Sequence, residues 1–308
     1  ARQPLASKKS DNQTRRYGFQ IGSAIIKNKA GYFIDFENRS IDESSTVNAI
    51  ILDQNFQNIN FVSDSPNPQR LLNGSARADW QINPNHTAIF RYSFNRNKLN
   101  GLGIGGTSLA ERGFDSLQTE NVFRFSETAI LNPSSVNEFR IGLTNTEIGQ
   151  NALNNQPAII VSGAFSAGGA NLQSLLRRER LLEIADNLTY DTKQHSLKFG
   201  IQLFNRGISE TESENTNGTF YFGGNGQFSS LEQYRQTLLG FAVPTRYSVT
   251  IGSPKVSTNQ WLFAGFVQDE WRLNQKFLLS LGIRYEGQTV PSDFGGIAPR
   301  IGLAFVPN

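Results

Sequence analysis

A period of two dominates the hydrophobic and polar positions of this sequence. In residues 196–203 the odd positions carry leucine, phenylalanine and isoleucine, and the even positions carry serine, lysine, glycine and glutamine. Residues 279–286 repeat the pattern. Successive side chains of a strand point to opposite faces, so each segment predicts a strand with one apolar and one polar face. The pattern predicts eleven strands, at residues 16–27, 32–38, 73–82, 87–96, 121–131, 136–146, 180–190, 195–206, 261–273, 277–286 and 297–306.

The connections between these strands alternate between short and long. The short ones are rich in Asn, Pro, Ser and Gly, as tight hairpins require, and lie at 28–31, 83–86, 132–135, 191–194 and 274–276. The long ones are polar and lie at 39–72, 97–120, 147–179, 207–260 and 287–296. The alternation predicts an all-β antiparallel meander with every long loop at the same end.

This arrangement is typical of a transmembrane β-barrel, with short periplasmic turns, long extracellular loops and strands of about 10 residues that alternate apolar-out and polar-in. A cationic side chain facing lipid at mid-bilayer costs about 2–4 kcal/mol, so the strand arginines and lysines should face the lumen. Three acids, Glu127, Asp186 and Asp269, fall on the lipid-side register. Each lies near a short turn, where the cost falls to about 0–1 kcal/mol.

A soluble β-sandwich or propeller also alternates and is the main structural alternative. Such domains repeat their turns every 8–12 residues or so, and long loops confined to one end are uncommon in compact domains. The chain has 38% hydrophobic residues and a mean hydropathy of −0.38, which excludes a helical membrane bundle. We therefore predict a partial barrel of about eleven strands in a bacterial outer membrane.

Composition and motifs give little support for catalysis or for a cofactor. The absence of Cys excludes a disulfide scaffold, a zinc–thiolate site and a cysteine nucleophile. A net charge of +3 gives no argument for nucleic acid. Residues 101–106 spell GxGxxG, but the preceding strand is polar and no adequate helix follows, which favours a loop. His86 and His195 each open a strand after a turn and are interpreted as solvated rim residues rather than metal ligands. We predict no enzyme, no metal and no cofactor.

A basic cluster lies at the foot of one long loop. It contains Arg177, Arg178 and Arg180. The cluster could meet an anionic substrate or the phosphates of lipopolysaccharide. The alternative is a solvated loop base in which the arginines pair with Glu179 and Glu183.

Several segments together resemble the barrel of Oar-like TonB-dependent outer-membrane transporters. Residues 17–29 and 32–37 are similar to an early barrel hairpin of that family, although Ser23 and Ala24 replace its usual Gly-Pro. Further matches, in order along the chain, are 135–140 (SVNEFR), 186–190 (DNLTY), 195–200 (HSLKFG), 266–273 (FVQDEWRL), 282–286 (GIRYE) and 299–305 (PRIGLAF). The resemblance implies active uptake of a small or medium-sized substrate, driven by the TonB energy-coupling complex.

The family's plug domain and TonB-contacting segment have no counterpart in these residues. We therefore expect residues 1–15 to be the tail of an outer loop and 16–308 to be part of a barrel whose plug and remaining strands are absent. The expected partners are outer-membrane lipid, lipopolysaccharide, the TonB complex through the absent plug, and a substrate. A passive pore or surface-adhesion barrel is the alternative function.

The candidate ligand-binding residues are the polar side chains of the lumen register. For each, the alternative is a structural ladder that pairs with its neighbours or with the plug. The candidates are Arg77, Asp79, Arg91, Arg140, Lys198, Gln202, Arg284 and Glu286.

Overall fold

The computed structural model describes residues 12–252 and 255–306, most of which are in β-strands. The strands are β1 (Gln13–Ile26), β2 (Ala30–Asp42), β3 (Ser44–Leu52), β4 (Asn58–Pro66), β5 (Gln69–Asn83), β6 (His86–Leu102), β7 (Phe114–Asn132), β8 (Ser135–Ala152), β9 (Ala158–Val161), β10 (Phe165–Gly168), β11 (Leu172–Asp191), β12 (His195–Glu214), β13 (Thr219–Phe222), β14 (Arg246–Ser248), β15 (Lys255–Arg272), β16 (Phe277–Thr289) and β17 (Ser292–Phe305). One α-helix, α1 (Ser230–Leu238), and a 3₁₀ turn at Ala110–Arg112 complete the described elements. None of the helical segments in these two ranges is long and apolar enough to span a membrane.

Eleven strands form one antiparallel sheet, which we call the barrel wall. Its order is β1-β2-β5-β6-β7-β8-β11-β12-β15-β16-β17, so each strand pairs with the next wall strand along the chain. This confirms the predicted all-β meander, and each of the eleven predicted strands is present. Within the described residues β1 and β17 are the edges, and the sheet is open. The predicted loop tail at 1–15 falls largely on residues 1–11, which lie outside the described ranges, and β1 begins at Gln13.

Asparagine side chains close the turns at the short-turn end of the wall. The Oδ1 atoms of Asn83, Asn132 and Asn274 each accept a hydrogen bond from the backbone N–H two residues later, at 2.9 Å in all three turns. This local bond replaces a backbone turn contact and explains why Asn opens these connections. The short turns are therefore specified by local sequence.

At the opposite end the strands run further than the hydrophobic pattern predicts. β11 begins at Leu172 rather than 180, β12 continues to Glu214 rather than 206, and β8 continues to Ala152 rather than 146. Backbone pairing continues through these extensions, for example between Arg177 and Glu210. The alternation of apolar and polar residues ends above the predicted membrane-spanning part, where the outward face no longer needs to be apolar. The hydrogen-bonded ladder does not depend on that face and continues.

The expected long connection at 287–296 is wrong. β16 extends to Thr289 and β17 starts at Ser292, which leaves a turn of Val290 and Pro291. Polar and glycine residues in this stretch suggested a loop, but their backbones pair across the hairpin, as between Glu286 and Gly296. Glycine-rich segments can occupy a strand when the partner strand supplies the hydrogen bonds.

The other long connections fold together into a compact unit, which we call the outer cap. It comprises the β3–β4 hairpin, a four-stranded sheet in the order β10-β9-β13-β14, and helix α1. The main cluster of buried hydrophobic side chains in the described chain lies here and consists of Val47, Ala49, Val161, Ala164, Phe165, Ala167 and Phe222. The connections predicted as polar loops therefore bury part of their apolar residues against one another.

Tyr234 on α1 joins the helix to this core. Its ring packs edge-on against Phe165 and Phe222, with centroids 5.3 and 5.0 Å apart. Burial, together with the negative charge of Glu111, raises the pKa of the Tyr234 phenol. Ser229 caps the N-terminus of the helix, and its side chain accepts a hydrogen bond from the N–H of Glu232.

Beyond the end of β6 at Leu102, the glycine-rich stretch continues as a loop, as predicted. Gly101, Gly103, Gly105 and Gly106 all have positive φ, between 59° and 126°, a conformation that favours glycine. The next helical element is only the 3₁₀ turn. This geometry does not provide the helix N-terminus that a dinucleotide site needs.

Candidate functional site

The two faces of the barrel wall have different chemistry. On one face, an apolar row crosses six neighbouring strands through directly opposed residues, which are Phe90, Phe125, Ile141, Ile184, Leu203 and Phe263. The rings of Phe90 and Phe125 lie 4.7 Å apart. We call this the outward face, and the opposite, polar face the inward face.

Four arginines gather on the inward face between β5 and β8. Arg77 lies opposite Arg91, and Arg91 lies opposite Arg124. Arg140 on β8 lies opposite Ser126, which is two residues from Arg124 and on the same face. These four residues, the inward arginine cluster, line a concavity of about 380 Å³ that Glu183 also borders. The meander therefore brings together cations that lie up to 63 positions apart in the sequence.

Only part of this charge is balanced within the described residues. The Nε and Nη2 atoms of Arg77 donate to the Asp79 carboxylate at 2.9 and 2.6 Å. Arg140 lies 3.6 Å from Glu138. Across residues 12–252 and 255–306, neither Arg91 nor Arg124 has a hydrogen-bond or ion-pair partner. Directly opposed like charges destabilise a sheet, so this cluster has a net attraction for an anion.

A second group of charged residues on the inward face is closely paired. Arg284 donates from Nε to Glu286 at 2.5 Å and from Nη2 to Gln202 at 3.1 Å. The Nζ of Lys198 lies 3.4 Å from Glu270. These five residues form the inward paired cluster on β12, β15 and β16. The acids satisfy the cations locally and leave less charge for a ligand.

The eight sequence-predicted candidates therefore separate into two places. Arg77, Asp79, Arg91 and Arg140 lie in or beside the arginine cluster, and the other four lie in the paired cluster. Sequence analysis missed Arg124 and Glu270. Both could have been found from the alternation of faces along the strand. Arg124 lies between the outward Phe123 and Phe125, and Glu270 is two residues from Gln268 and so lies on the same face.

The outward acids near the short turns all have hydrogen-bond partners. His86 Nδ1 lies 2.7 Å from Glu127 Oε1, and His195 Nδ1 lies 2.7 Å from Asp269 Oδ2. A third contact joins Asn137 Nδ2 to Asp186 Oδ1 at 2.8 Å. In all three, the two residues lie on neighbouring strands and are offset diagonally by two positions. Both histidines lie at the rim with more than a third of the side chain exposed, and each also contacts an acid on the neighbouring strand.

No group of three or more potential metal ligands occurs among the residues that the structure describes. In the outer cap, burial lowers the pKa of the Arg112 guanidinium, which donates to the carbonyl of Gly169. The cap acid Glu111 accepts from the N–H of Gly168 at 2.8 Å. The cap's buried polar groups therefore hold loops together.

Comparison with known families agrees with this architecture. The sequence profile of the family described as "Outer membrane beta barrel domain" matches residues 45–298. The chain belongs to this outer-membrane β-barrel family. The barrel wall therefore lies in a bacterial outer membrane, and its outward apolar face contacts lipid.

Solved structures with similar folds extend over nearly all of this outer-membrane barrel chain. The outer membrane transporter YddB from Escherichia coli aligns with a TM-score of 0.60 and 9% identity over 94% of this chain and 36% of its own. FpvA of Pseudomonas aeruginosa, bound to heterologous pyoverdines, aligns with a TM-score of 0.61 and 10% identity over 96% of this chain and 39% of its own. The siderophore receptor PirA from Acinetobacter baumannii gives 0.54 and 11%, over 99% and 40%.

These likenesses concern the fold. The chain spans well under half the length of the structures that it matches. A comparison with curated proteins finds no match.

Proposed function

We propose that this chain is part of the barrel of a TonB-dependent outer-membrane receptor that takes up a substrate actively. The observation that carries the proposal is the match of nearly the whole chain, tall wall strands and folded outer loops included, to solved transporters and siderophore receptors. The order of segments that resemble Oar-like transporters supports it independently. The role is transport and not catalysis.

In this proposal the outer cap and the inward face act in sequence on the substrate. The cap, at the outer rim, makes first contact, and the inward face then lines the passage. The energy-coupling complex acts through a plug domain that belongs to the longer protein. Movement of that plug, and not a change in the wall, opens the passage, because the wall is tied by continuous strand ladders.

The inward arginine cluster is the proposed ligand-contacting part of this passage. Arg91 and Arg124 are exposed and unpaired among the described residues, so they can donate to carboxylate or phosphate groups. Those groups belong to the substrate or to the plug. The paired cluster is proposed as the structural ladder of the same face.

The conductance of the full-length protein in planar lipid bilayers tests the proposal. A plugged receptor should be nearly closed, and it should bind the periplasmic domain of TonB in a pull-down. A steadily open channel that ignores TonB would instead establish the passive pore. A closed barrel without TonB binding would favour surface adhesion.

A double variant, Arg91→Gln with Arg124→Gln, tests the site separately. If the cluster meets the plug, the variant should raise conductance without loss of TonB binding. If it meets substrate, conductance should stay low and uptake should fall. An unchanged protein in both assays would show that the cluster has no such role.

A further inference from the structure

The outward face carries a polar recess directly above its apolar belt. Five directly opposed residues on neighbouring strands form its lower row, and they are Asn121, Asn145, Arg180, Gly207 and Asn259. The row above runs through Thr119, Glu147, Arg178, Ser209 and Ser257. Together the two rows line a cavity of about 610 Å³. The residues in these rows all have outward parity and make up ten of the fourteen residues that line the cavity, so it opens mainly to the membrane side of the wall.

The recess lies at the height where the lipid headgroups begin. Along β11, Tyr190 marks the short-turn end, and Arg180 lies ten residues away. At about 3.4 Å per residue and a strand tilt of about 40°, this separation is about 25 Å of height. The apolar band of an outer-membrane barrel is about 25 Å tall. The recess therefore faces the outer headgroup region, just beyond the acyl chains.

The three arginines of the basic cluster lie on opposite faces of β11, with Arg178 and Arg180 on the outward face. Arg177 lies on the inward side, 3.5 Å from Glu179 and 3.6 Å from Glu210. Glu179 also accepts from Arg206 at 2.6 Å. Glu179 therefore lies on the inward face. The alternative in which the arginines pair with Glu179 and Glu183 holds only for Arg177, which contacts Glu179.

The outward arginines remain largely available. Arg178 donates from Nε to Glu147 at 2.7 Å, which leaves its two Nη groups free, and 63% of its side chain is exposed. Arg180 is exposed and has no hydrogen-bond or ion-pair partner in the described parts of the chain. Gly207, directly opposite Arg180, adds no side chain that could cover it.

Two asparagines in the lower row have their oxygens already occupied. Asn121 Oδ1 accepts from the Tyr92 hydroxyl at 2.7 Å, and Asn259 Oδ1 accepts from Asn205 Nδ2 at 2.7 Å. Their amide nitrogens are left as the groups able to bind a ligand. The recess therefore presents a guanidinium and amide donors. Glu147 is the one carboxylate in its two outward rows, and Glu179, which also borders the cavity, is bound by Arg206.

We propose that this recess binds a phosphate group on the headgroup of an outer-leaflet lipid, namely lipopolysaccharide. Arginine guanidinium groups recognise phosphate through paired, charge-assisted hydrogen bonds, and Arg180 is the free arginine on the recess floor. A lipid occupies the site because the recess opens toward the membrane at headgroup height. Arg178, held by Glu147, places a second cation one row above.

Lipid binding by the full-length, delipidated protein in detergent tests this assignment. Native mass spectrometry would compare intact lipopolysaccharide, enzymatically dephosphorylated lipopolysaccharide and inorganic phosphate. The wild type should prefer the phosphorylated lipid, and Arg180→Gln should weaken that binding about tenfold, as expected for loss of a charged hydrogen bond. Arg180→Lys keeps the positive charge but not the paired guanidinium donors, so its affinity for the phosphorylated lipid should lie between those of the wild type and Arg180→Gln.

A matched control separates a built site from general attraction to an anionic surface. Arg96 lies on the same outward row as Arg178, opposite Thr119, but it does not line the recess. Arg96→Gln should leave the affinity unchanged. Gly207→Leu, which fills the recess without changing charge, should weaken binding as Arg180→Gln does.

Heat-modifiable mobility on gels would verify that each variant is folded. If Arg96→Gln and Arg180→Gln lowered the lipid affinity equally, binding at the recess would be overturned in favour of attraction to a diffuse basic surface. Equal affinity for intact and dephosphorylated lipid would overturn phosphate recognition. Binding of inorganic phosphate as tight as that of the lipid would overturn the lipid as occupant.

Discussion

The outward and inward faces of the same strands treat charge in opposite ways. On the outward face near the short turns, Glu127, Asp186 and Asp269 each accept a hydrogen bond from the neighbouring strand. On the inward face, Arg91 and Arg124 oppose each other without a partner in the described residues. Lipid cannot solvate an ion, whereas a lumen contains water or protein. The environment beyond each face therefore decides whether a charge must be paired within the sheet.

The strongest test of this comparison places the same cation on each face of β8. Ile141→Arg, in the middle of the outward belt, should lower the free energy of unfolding by about 2–4 kcal/mol. Thr144→Arg, on the inward face three residues away, should cost less than about 1 kcal/mol because water can solvate it. Guanidinium unfolding of the full-length protein in bilayers gives both values. Similar costs would mean that the faces are wrongly assigned.

A second test removes one partner of an outward acid. His195→Phe keeps the ring that stacks on Trp271, at 5.3 Å between centroids, but removes the donor to Asp269. Because Asp269 Oδ1 is already buried without a partner, losing the other bond should cost about 1–3 kcal/mol in unfolding free energy. The double variant His195→Phe with Asp269→Leu should recover most of the lost unfolding free energy. No recovery would assign the loss to packing.

On the inward face the equivalent change should be milder. Asp79→Asn removes the carboxylate that binds Arg77 and leaves four arginines with less compensating charge. Both side chains are about two-fifths exposed, so solvent screens the pair and the expected loss is about 0.5–1 kcal/mol. The loss should shrink at high salt, which chemical unfolding at two ionic strengths would reveal. A loss that does not depend on salt would point to a change in packing.

The smallest effect is expected at Arg91, which has no partner among the described residues. Arg91→Gln should change the free energy of unfolding by less than about 0.5 kcal/mol, and toward greater stability, because it relieves repulsion from Arg77 and Arg124. Arg284→Gln in the paired cluster is the matched control and should be destabilising. A clear destabilisation by Arg91→Gln would reveal a partner outside the described residues.

Parity alone predicted much of the candidate site. Arg77, Arg91, Arg140, Lys198 and Arg284 all lie on the inward face, because alternation assigns a face without knowledge of pairing. Which of them meet could not be predicted, since neighbours across strands depend on register. The alignment of Arg77, Arg91 and Arg124 follows from hairpin registers that place residues 77 and 124 two strands apart.

The histidine contacts show the same limit at closer range. His86 and Glu127 are 41 positions apart, and only the register of β6 with β7 places them diagonally. Each is unremarkable in the sequence. Their contact gives the outward Glu127 a partner on the neighbouring strand.

By itself, the sequence determined the meander, the eleven wall strands, the short turns and the facing of each strand residue. These features depend on local propensity and on a period of two, and both can be recognised from a few consecutive residues. Only the tertiary structure decided the length of the strands beyond the membrane, the tight turn at Val290 and Pro291, and the folding of the long connections into the outer cap. It also decided which charges are paired. Those outcomes depend on strand register and on contacts between segments that are distant in the sequence. The energies of such contacts cannot be inferred from a local sequence pattern.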